Sequence, residues 1–421
     1  MLTLYNSLAR GIEPFEPRKR GRVKMFTCGP SIYQRPHIGN YRTFLFEDIL
    51  QRYLEYLEYA VERTLNFTDV EDKSIQEATK LNMDVLELAE RNSMVFFREL
   101  VMLRIKPPDH NPRSSTSVEQ AVSLIEELLK KGYAYWYRGN VYFDPLKFEG
   151  FGKLSRVDKS RWPQGKKRFH RDTYPGNRWN LGDFILWHGY RKGDTIFWDS
   201  PIGKGRPAWN VQDPAMAVQT LGFEIDIFCG GIDNMVRHHD YVIAVTESVS
   251  GKPLSRYWLH GAHLLVEGKK MSKSKGNIIY PDELQKAGHT PEEIRFFLMY
   301  RHYRKRLNFT YDKLKKTSAK LKLALGAVES LQGAAGTGTG DAGVRELTGR
   351  LRKDFERNMD NDLDVRLAFD DMLEVLLKLK RLADSGKVSP QDASDAVGEL
   401  RKMDYVFQLL FTDNTAPHAV T

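Results

Sequence analysis

Apolar positions in the first 70 residues fall into two periods, and the change between them marks the first fold unit. Over 22–28 the residues Val23 and Met25 share one face of a strand. Gly29-Pro30 interrupts it, and beyond Pro36 the apolar positions take helical spacing, with one stripe of Leu45, Phe46, Ile49, Leu50, Tyr53, Leu54 and Leu57. Val61, Leu65 and Phe67 then alternate with polar neighbours, so 61–67 reads as a second strand. Strand, helix, strand is a βαβ unit, which needs a parallel sheet and predicts a Rossmann-like α/β fold. Residues 74–106 and 116–132 have helical spacing. Residues 140–205 do not; they are rich in Gly, Pro, Trp and basic residues and read as an insertion. Strands resume at 223–229, where Phe223, Ile225 and Ile227 share a face, and again at 257–260 and 263–266. Beyond Pro291 the chain reads as wholly helical. Periodicity over 344–358, 364–384 and 390–411 predicts an all-α bundle after a flexible Gly/Ala/Thr connector at 333–340.

The 421 residues are too many for one compact core. The pattern divides them into two halves of a catalytic α/β domain (1–135 and 206–290), an inserted module (136–205), a helical region (291–332) and a C-terminal bundle (341–421). With 41% hydrophobic and 28% charged residues the composition is that of an ordinary globular protein. No run reaches the ~18 apolar residues of a membrane span. The N-terminus lacks a basic stretch followed by an apolar one, so neither a signal peptide nor a membrane partner is expected. Only Cys28 and Cys229 are present, which excludes a disulfide scaffold, fits a reducing cytoplasm and rules out a site needing three thiolates. A net charge of +9 favours a polyanionic partner such as RNA, a soluble lysine-rich surface being the plain alternative.

Two short runs carry the chemistry. Pro36-His37-Ile38-Gly39-Asn40 opens the first helix directly after a strand, and Lys270-Met271-Ser272-Lys273-Ser274 follows the 263–266 strand. Together they resemble the His-Ile-Gly-His and Lys-Met-Ser-Lys-Ser motifs of class I aminoacyl-tRNA synthetases. The resemblance implies an ATP site in which the helix end seats phosphate, His37 donates to the α-phosphate and Gly39 leaves room for adenine. Lys270 and Lys273 neutralise the leaving pyrophosphate, with Ser272 and Ser274 in support. A capping histidine and an exposed basic loop are the plain alternative. Asn40 replaces the second His of the motif; its amide donates a hydrogen bond but carries no charge, so weakened activation is expected.

Within that class the chain resembles the cysteinyl-tRNA synthetase family from residue 1 to 411. Specific stretches carry the likeness: Cys28-Gly29-Pro30-Ser31-Ile32-Tyr33, Asn66-Phe67-Thr68-Asp69-Val70-Glu71-Asp72-Lys73, Gly205-Arg206-Pro207-Ala208-Trp209 and Gly230-Gly231-Ile232-Asp233. The family implies ATP with Mg, an aminoacyl-adenylate and tRNA as acceptor. It also implies ATP contacts at Gly231, Asp233 and Met271, and amino-acid contacts at Cys28, Gly29, Thr68, Trp209, Asp213, Phe228 and His238. It further implies a zinc ion held by two Cys, one His and one Glu. Carried over, Cys28 and His238 are kept, Asp213 stands at the second Cys and Val242 at the Glu; Phe228 replaces a polar His. Cys28, Asp213 and His238 remain as a reduced ligand set, with Asp a harder donor than thiolate. His239, about 100° further round a helix, is expected to point away. Zinc is therefore expected to be absent or weakly held. The family's anticodon-contacting module has no counterpart here, so anticodon recognition is expected from the bundle or not at all. Three readings stay open. One is a cysteine–tRNA ligase with a degenerate metal site, using Lys313, Lys315, Lys316, Lys320 and Lys322 as an RNA face. Another is a paralogue passing a cysteine-like or other amino acid to a non-tRNA acceptor, as mycothiol ligases do; the third is a non-catalytic nucleotide- or RNA-binding relative.

Overall fold

The computed structural model describes residues 1–158, 183–272, 275–334 and 342–411. Lys273, Ser274 and all of the expected connector but 333–334 lie outside them. The chain opens with an antiparallel hairpin absent from the sequence reading, β1 (Thr3–Asn6) and β2 (Gly11–Pro14). The predicted βαβ unit follows as β3 (Arg22–Thr27), α1 (Ile38–Tyr56) and β4 (Ala60–Leu65), with the strands parallel from Arg22↔Ala60 to Thr27↔Leu65.

The single helix expected over 74–106 is two, α2 (Asp72–Lys80) and α3 (Val85–Met102). Asn82 takes a positive φ of 49°, and Asp84 caps α3 by accepting from the Leu86 and Glu87 amides at 2.8 and 3.2 Å. After α4 (Val118–Lys130), the non-helical stretch forms β5 (Ala134–Tyr137), β6 (Asn140–Phe143), β7 (Phe184–Gly189) and β8 (Gly205–Pro207) in one antiparallel sheet.

The parallel sheet then resumes with α5 (Trp209–Leu221), β9 (Ile225–Gly231), α6 (Asp240–Ser250) and β10 (Ser255–Gly261). Its order is β10-β9-β3-β4. The chain runs outward from β3 to β4 on one side and from β9 to β10 on the other. A crevice therefore opens between the C-terminal ends of β3 and β9, where parallel sheets bind ligands.

The hairpin of β11 (Leu264–Val266) and β12 (Lys269–Lys270) leads through the lysine motif to α7 (Pro281–Lys286) and α8 (Pro291–Tyr300). The expectation of an all-helical chain beyond Pro291 fails at β13 (Leu307–Phe309), which pairs parallel with β11 and buries Leu307 and Phe309. The helices α9 (Tyr311–Gln332), α10 (Ala342–Met359), α11 (Val365–Asp384) and α12 (Pro390–Phe407) close the chain.

One apolar cluster runs from the sheet (Val23, Ile227, Leu259) through α1 into the bundle (Phe355, Phe369, Phe407). Helix α1 is consequently buried on its charged side too. Asp48 is fully buried and takes Arg295 Nη2 at 2.7 Å and Arg52 Nε at 3.0 Å. Arg295 Nε also donates to Phe407 O at 2.7 Å, and Arg104 Nη1 to Gln408 O and Phe411 O at 3.3 and 3.2 Å. Three arginines from outside the bundle, on α1, after α3 and on α8, thus satisfy carbonyls at the end of α12, Arg52 completing the set at Tyr405 O.

Candidate active site

A cleft of about 610 Å³ opens at the crevice. Of the expected residues it is lined by Cys28, Gly29, Pro36, His37, Asn40, Thr68, Trp209, Asp213, Gly231, Asp233 and His238. Gly39, Phe228, Lys270, Met271 and Ser272 are not among its lining residues. Gly29 follows β3 so closely that a Cβ there would lie 1.7 Å from Asn66 O.

His37 is the N-cap of α1. Its Nδ1 accepts from the Gly39 and Asn40 amides at 3.1 and 3.3 Å, and Asn40 Oδ1 accepts from the His37 amide at 3.0 Å. The Ile38 amide donates to Ile279 O at 3.0 Å. This corrects the expectation that the helix end seats a phosphate, because its first-turn N–H groups are already bonded. What remains is on the side chains. With Nδ1 an acceptor, the neutral ring carries its hydrogen on Nε2, and burial pushes its pKa below the usual histidine range. Asn40 keeps its NH₂ free of the cap. A Cβ at Gly39 would lie 2.6 Å from the Met271 methyl, so this glycine lets the two motifs touch. Lys270 is exposed at the end of β12. Asn277 staples the base of the lysine run, its Oδ1 accepting from the Ser272 amide at 2.9 Å and its Nδ2 donating to Lys270 O at 3.3 Å.

At the other end of the cleft Cys28 Sγ lies 3.3 Å from Asp213 Oδ2 and 3.0 Å from His239 Nε2. Asp213 Oδ2 also meets His238 Nε2 at 2.7 Å, and Oδ1 accepts from Asn66 Nδ2 at 2.9 Å. Trp209 stacks on His238 with ring centres 4.8 Å apart. Burial, then the Asp213 carboxylate, pushes the Cys28 thiol well above its usual range.

His239 does not point away. Val236 is extended (ψ 130°) and Arg237 takes φ 73°, ψ −68°, so helix α6 starts only at Asp240 and the angular argument does not apply. The ring is fully buried, and its Nδ1 lies 2.9 Å from His260 Nε2, whose Nδ1 lies 2.8 Å from Ser7 Oγ. Burial holds His260 down to about 3, so it is neutral. Nothing in the spacing of 235–240 marks the turn that brings His239 in, although three stretches of the sequence already flagged supply its neighbours.

Ligand atoms of Cys28, His238 and His239 all lie within 4.8 Å of one another. One sulfur and two imidazole nitrogens are donors that zinc accepts, and His260 orients the far nitrogen of His239 as an outer partner does. The residues fit the metal, though with His239 in the set and Asp213 bonded to two of its members. Val242 is buried beside Cys28 in an apolar cluster, as its residue type requires. Phe228 departs from its expected role as an amino-acid contact. It is fully buried, stacked on Phe26 and Trp258 at 4.5 and 4.6 Å, with the His239 ring at right angles to it 5.0 Å away.

Among the described residues no helix is long and apolar enough to cross a membrane. Residues 14–319 match the family model for the class I (C) tRNA synthetase catalytic domain. The cysteine–tRNA ligase of Chlamydia pneumoniae is 37% identical over 413 residues, covering 97% of this chain and 86% of that protein. The one from Bacillus licheniformis is 38% identical over 367 residues, or 86% and 77%. Among solved structures, Mycobacterium tuberculosis methionyl-tRNA synthetase with methionyl-adenylate superposes with a TM-score of 0.68 at 16% identity, over 93% of this chain and 92% of that one. The Agrobacterium radiobacter LeuRS–tRNA–LeuAMS complex gives 0.64 at 12%, over 94% and 85%; these two speak to the fold alone. A family model spanning most of the chain, and relatives more than a third identical along nearly all of it, show that the chain belongs to the class I cysteinyl-tRNA synthetase family.

Proposed function

We propose that this protein activates an amino acid with MgATP as an aminoacyl-adenylate and transfers it to tRNA, in the cytoplasm, with cysteine as the substrate its family favours. One observation supports this above the others: a single cleft is lined at one end by the capped His37 and at the other by the Cys28–His238 cluster. In this reading His37 Nε2–H and the Asn40 NH₂ donate to the α-phosphate as negative charge builds during carboxylate attack. Lys270, with Lys273, neutralises the departing pyrophosphate. Gly231 and Asp233 line the nucleotide side, and Gly29, Thr68 and Trp209 the amino-acid side. The halves 1–135 and 206–290 form the catalytic domain around the 136–205 insertion, with 291–332 and 341–421 as stem-contact region and bundle.

Cys28, His238 and His239 would hold a zinc ion at the amino-acid end. When bound, such an ion supplies a Lewis acid that prefers a thiolate to a hydroxyl. Asp213 Oδ2 stands beside two of those donors, 3.3 Å from Cys28 Sγ and 2.7 Å from His238 Nε2. A second reading is favoured by Asp213 itself, a buried carboxylate on the cleft wall where the family has a thiolate: a paralogue for another amino acid, passed to tRNA or to a small-molecule acceptor. Amino-acid-dependent exchange of pyrophosphate into ATP, run over the standard amino acids, tests both. A clear cysteine preference with charging of tRNA supports the first. A different preferred amino acid, or activation without tRNA charging, supports the second.

A further inference from the structure

Arg35 stands two residues before His37, and its guanidinium is engaged by neighbouring elements. Its Nε donates to Glu99 Oε1 on α3 at 3.0 Å, and its Nη2 bonds the same carboxylate and reaches Asp282 Oδ1 on α7 at 2.5 Å. The Tyr280 ring packs against it, 4.7 Å from its centre. The two acids are differently placed. Glu99 is 5% exposed and also takes the Tyr41 hydroxyl at 2.5 Å, while Asp282 is 34% exposed and is shared with Lys286 at 3.1 Å. Glu99 therefore needs a cation to stay buried and charged, whereas Asp282 does not.

Asp282 matters for what it is attached to. It lies in the first turn of α7, directly after the lysine motif. Two contacts tie the motif and the residues before α7 to the His37 helix: the Met271 methyl lies over Gly39, and Ile279 O accepts the Ile38 amide. Asn277 ties this segment back to Lys270 and Ser272 through its side-chain amide. The apolar and backbone contacts set a distance between the motifs, and the Arg35 ion pair adds direction, because a guanidinium fork holds carboxylates in fixed geometry.

We propose that Arg35 is a positioning residue for ATP: it locks α7, and through the Asn277 staple Lys270, to the helix that carries His37. ATP then meets His37 and Lys270 at a set separation. Arg35 lines the cleft with its Nε and Nη2 engaged by carboxylates, and the Asp282 variant, which leaves Arg35 in place, isolates its action through α7. The proposal rests on the reading of both motifs as an ATP site.

The test compares Asp282→Asn, which removes only the α7 half and leaves the Arg35–Glu99 pair intact, with Arg35→Met, Arg35→Lys and the Arg35→Met/Asp282→Asn double variant. Steady-state pyrophosphate exchange gives KM for ATP and for the amino acid, calorimetry gives the Kd for MgATP, and thermal unfolding reports any loss of fold. Asp282→Asn is expected to raise both ATP constants roughly 3- to 30-fold with the amino-acid KM unchanged, and the double variant to be no worse than Arg35→Met. Arg35→Lys should recover part of the loss. ATP constants for Asp282→Asn within about twofold of wild type, equal changes in the amino-acid KM, or effects that multiply in the double variant overturn the proposal. A wild-type protein that binds MgATP but shows no exchange with any amino acid overturns the functional reading instead, and the Kd comparison still decides on Arg35.

Discussion

Replacing His37 separates two tasks that the structure places on one ring. Nδ1 caps α1 through two amide N–H groups, and Nε2–H is the donor left for the cleft. His37→Ala removes both. Loss of an N-cap costs about 1 kcal/mol. In a chain of this length that lowers the thermal midpoint by only about 1–3 °C. Loss of a transition-state donor costs ~10²–10³ in rate, or about 3–4 kcal/mol of barrier. His37→Asn keeps a good capping acceptor but is too short to place a donor where Nε2 stands. Its midpoint should lie within about 1 °C of wild type, while its exchange rate falls with that of the alanine variant. Pyrophosphate exchange at saturating ATP, beside a thermal melt, reads both quantities. An asparagine variant within about tenfold of wild-type rate would falsify the donor assignment. Activity loss that only tracks the melting point would leave His37 a cap and nothing more.

Other predictions concern the remaining parts of the site and its support. Cobalt should load the Cys28 centre and give a thiolate-to-metal charge-transfer band, abolished by Cys28→Ser and by His239→Ala; a band unaffected by His239→Ala contradicts the three-donor set. Arg295→Met leaves Asp48 buried without one of its two arginine hydrogen-bond partners and should cost about 3–5 kcal/mol in chemical denaturation; a loss under about 1 kcal/mol refutes the role given to the pair. Burial raises the Asp48 carboxyl, but Arg52 and Arg295 outweigh it and hold it below its ordinary value of 3.8. Its contribution is therefore complete above that ordinary value and lost as pH falls through the lower folded one. The stability gap between wild type and Asp48→Asn should accordingly narrow below pH ~4; a gap that is constant or widens refutes this. Gly29→Ala sets a Cβ 1.7 Å from the Asn66 carbonyl and should fail to give soluble protein, whereas Gly39→Ala crowds side chains alone, the tip of Met271 at 2.6 Å and the His37 ring at 3.0 Å, and should fold with weaker ATP binding. Equal yields and melting points for the two variants contradict this.

The βαβ start of the sheet was legible because the apolar period changes from two to 3.6 between β3 and α1. Short elements were not: β13 and the β1–β2 hairpin have three or four residues per strand, too few to show a period, and register with a distant partner decides them. The break between α2 and α3 was hidden because apolar residues on both sides keep helical spacing, although Asp84 is a capping residue in plain view. At the site, the sequence singles out His37, Cys28, Asp213 and His238, and all four line one cleft. His239 was misjudged because its direction depends on the left-handed φ at Arg237, which no neighbouring residue type announces. Phe228 was misassigned for the opposite reason: its strand was right, but the face it occupies lies behind the histidines.

The arginine set at the end of α12 also has a consequence in time. Asp48 precedes Arg295 by 247 residues. At synthesis rates of ~5–20 residues per second, that is roughly 10–50 s. Through that interval the first helix has its own Arg52 but not the second cation, and the helix α12 that covers its far side has yet to be made. A carboxylate that ends up fully buried must therefore stay hydrated while most of the chain emerges. The nascent βαβ unit, with its apolar α1 face uncovered, is the natural client for a chaperone. Final closure of the catalytic half waits for the bundle.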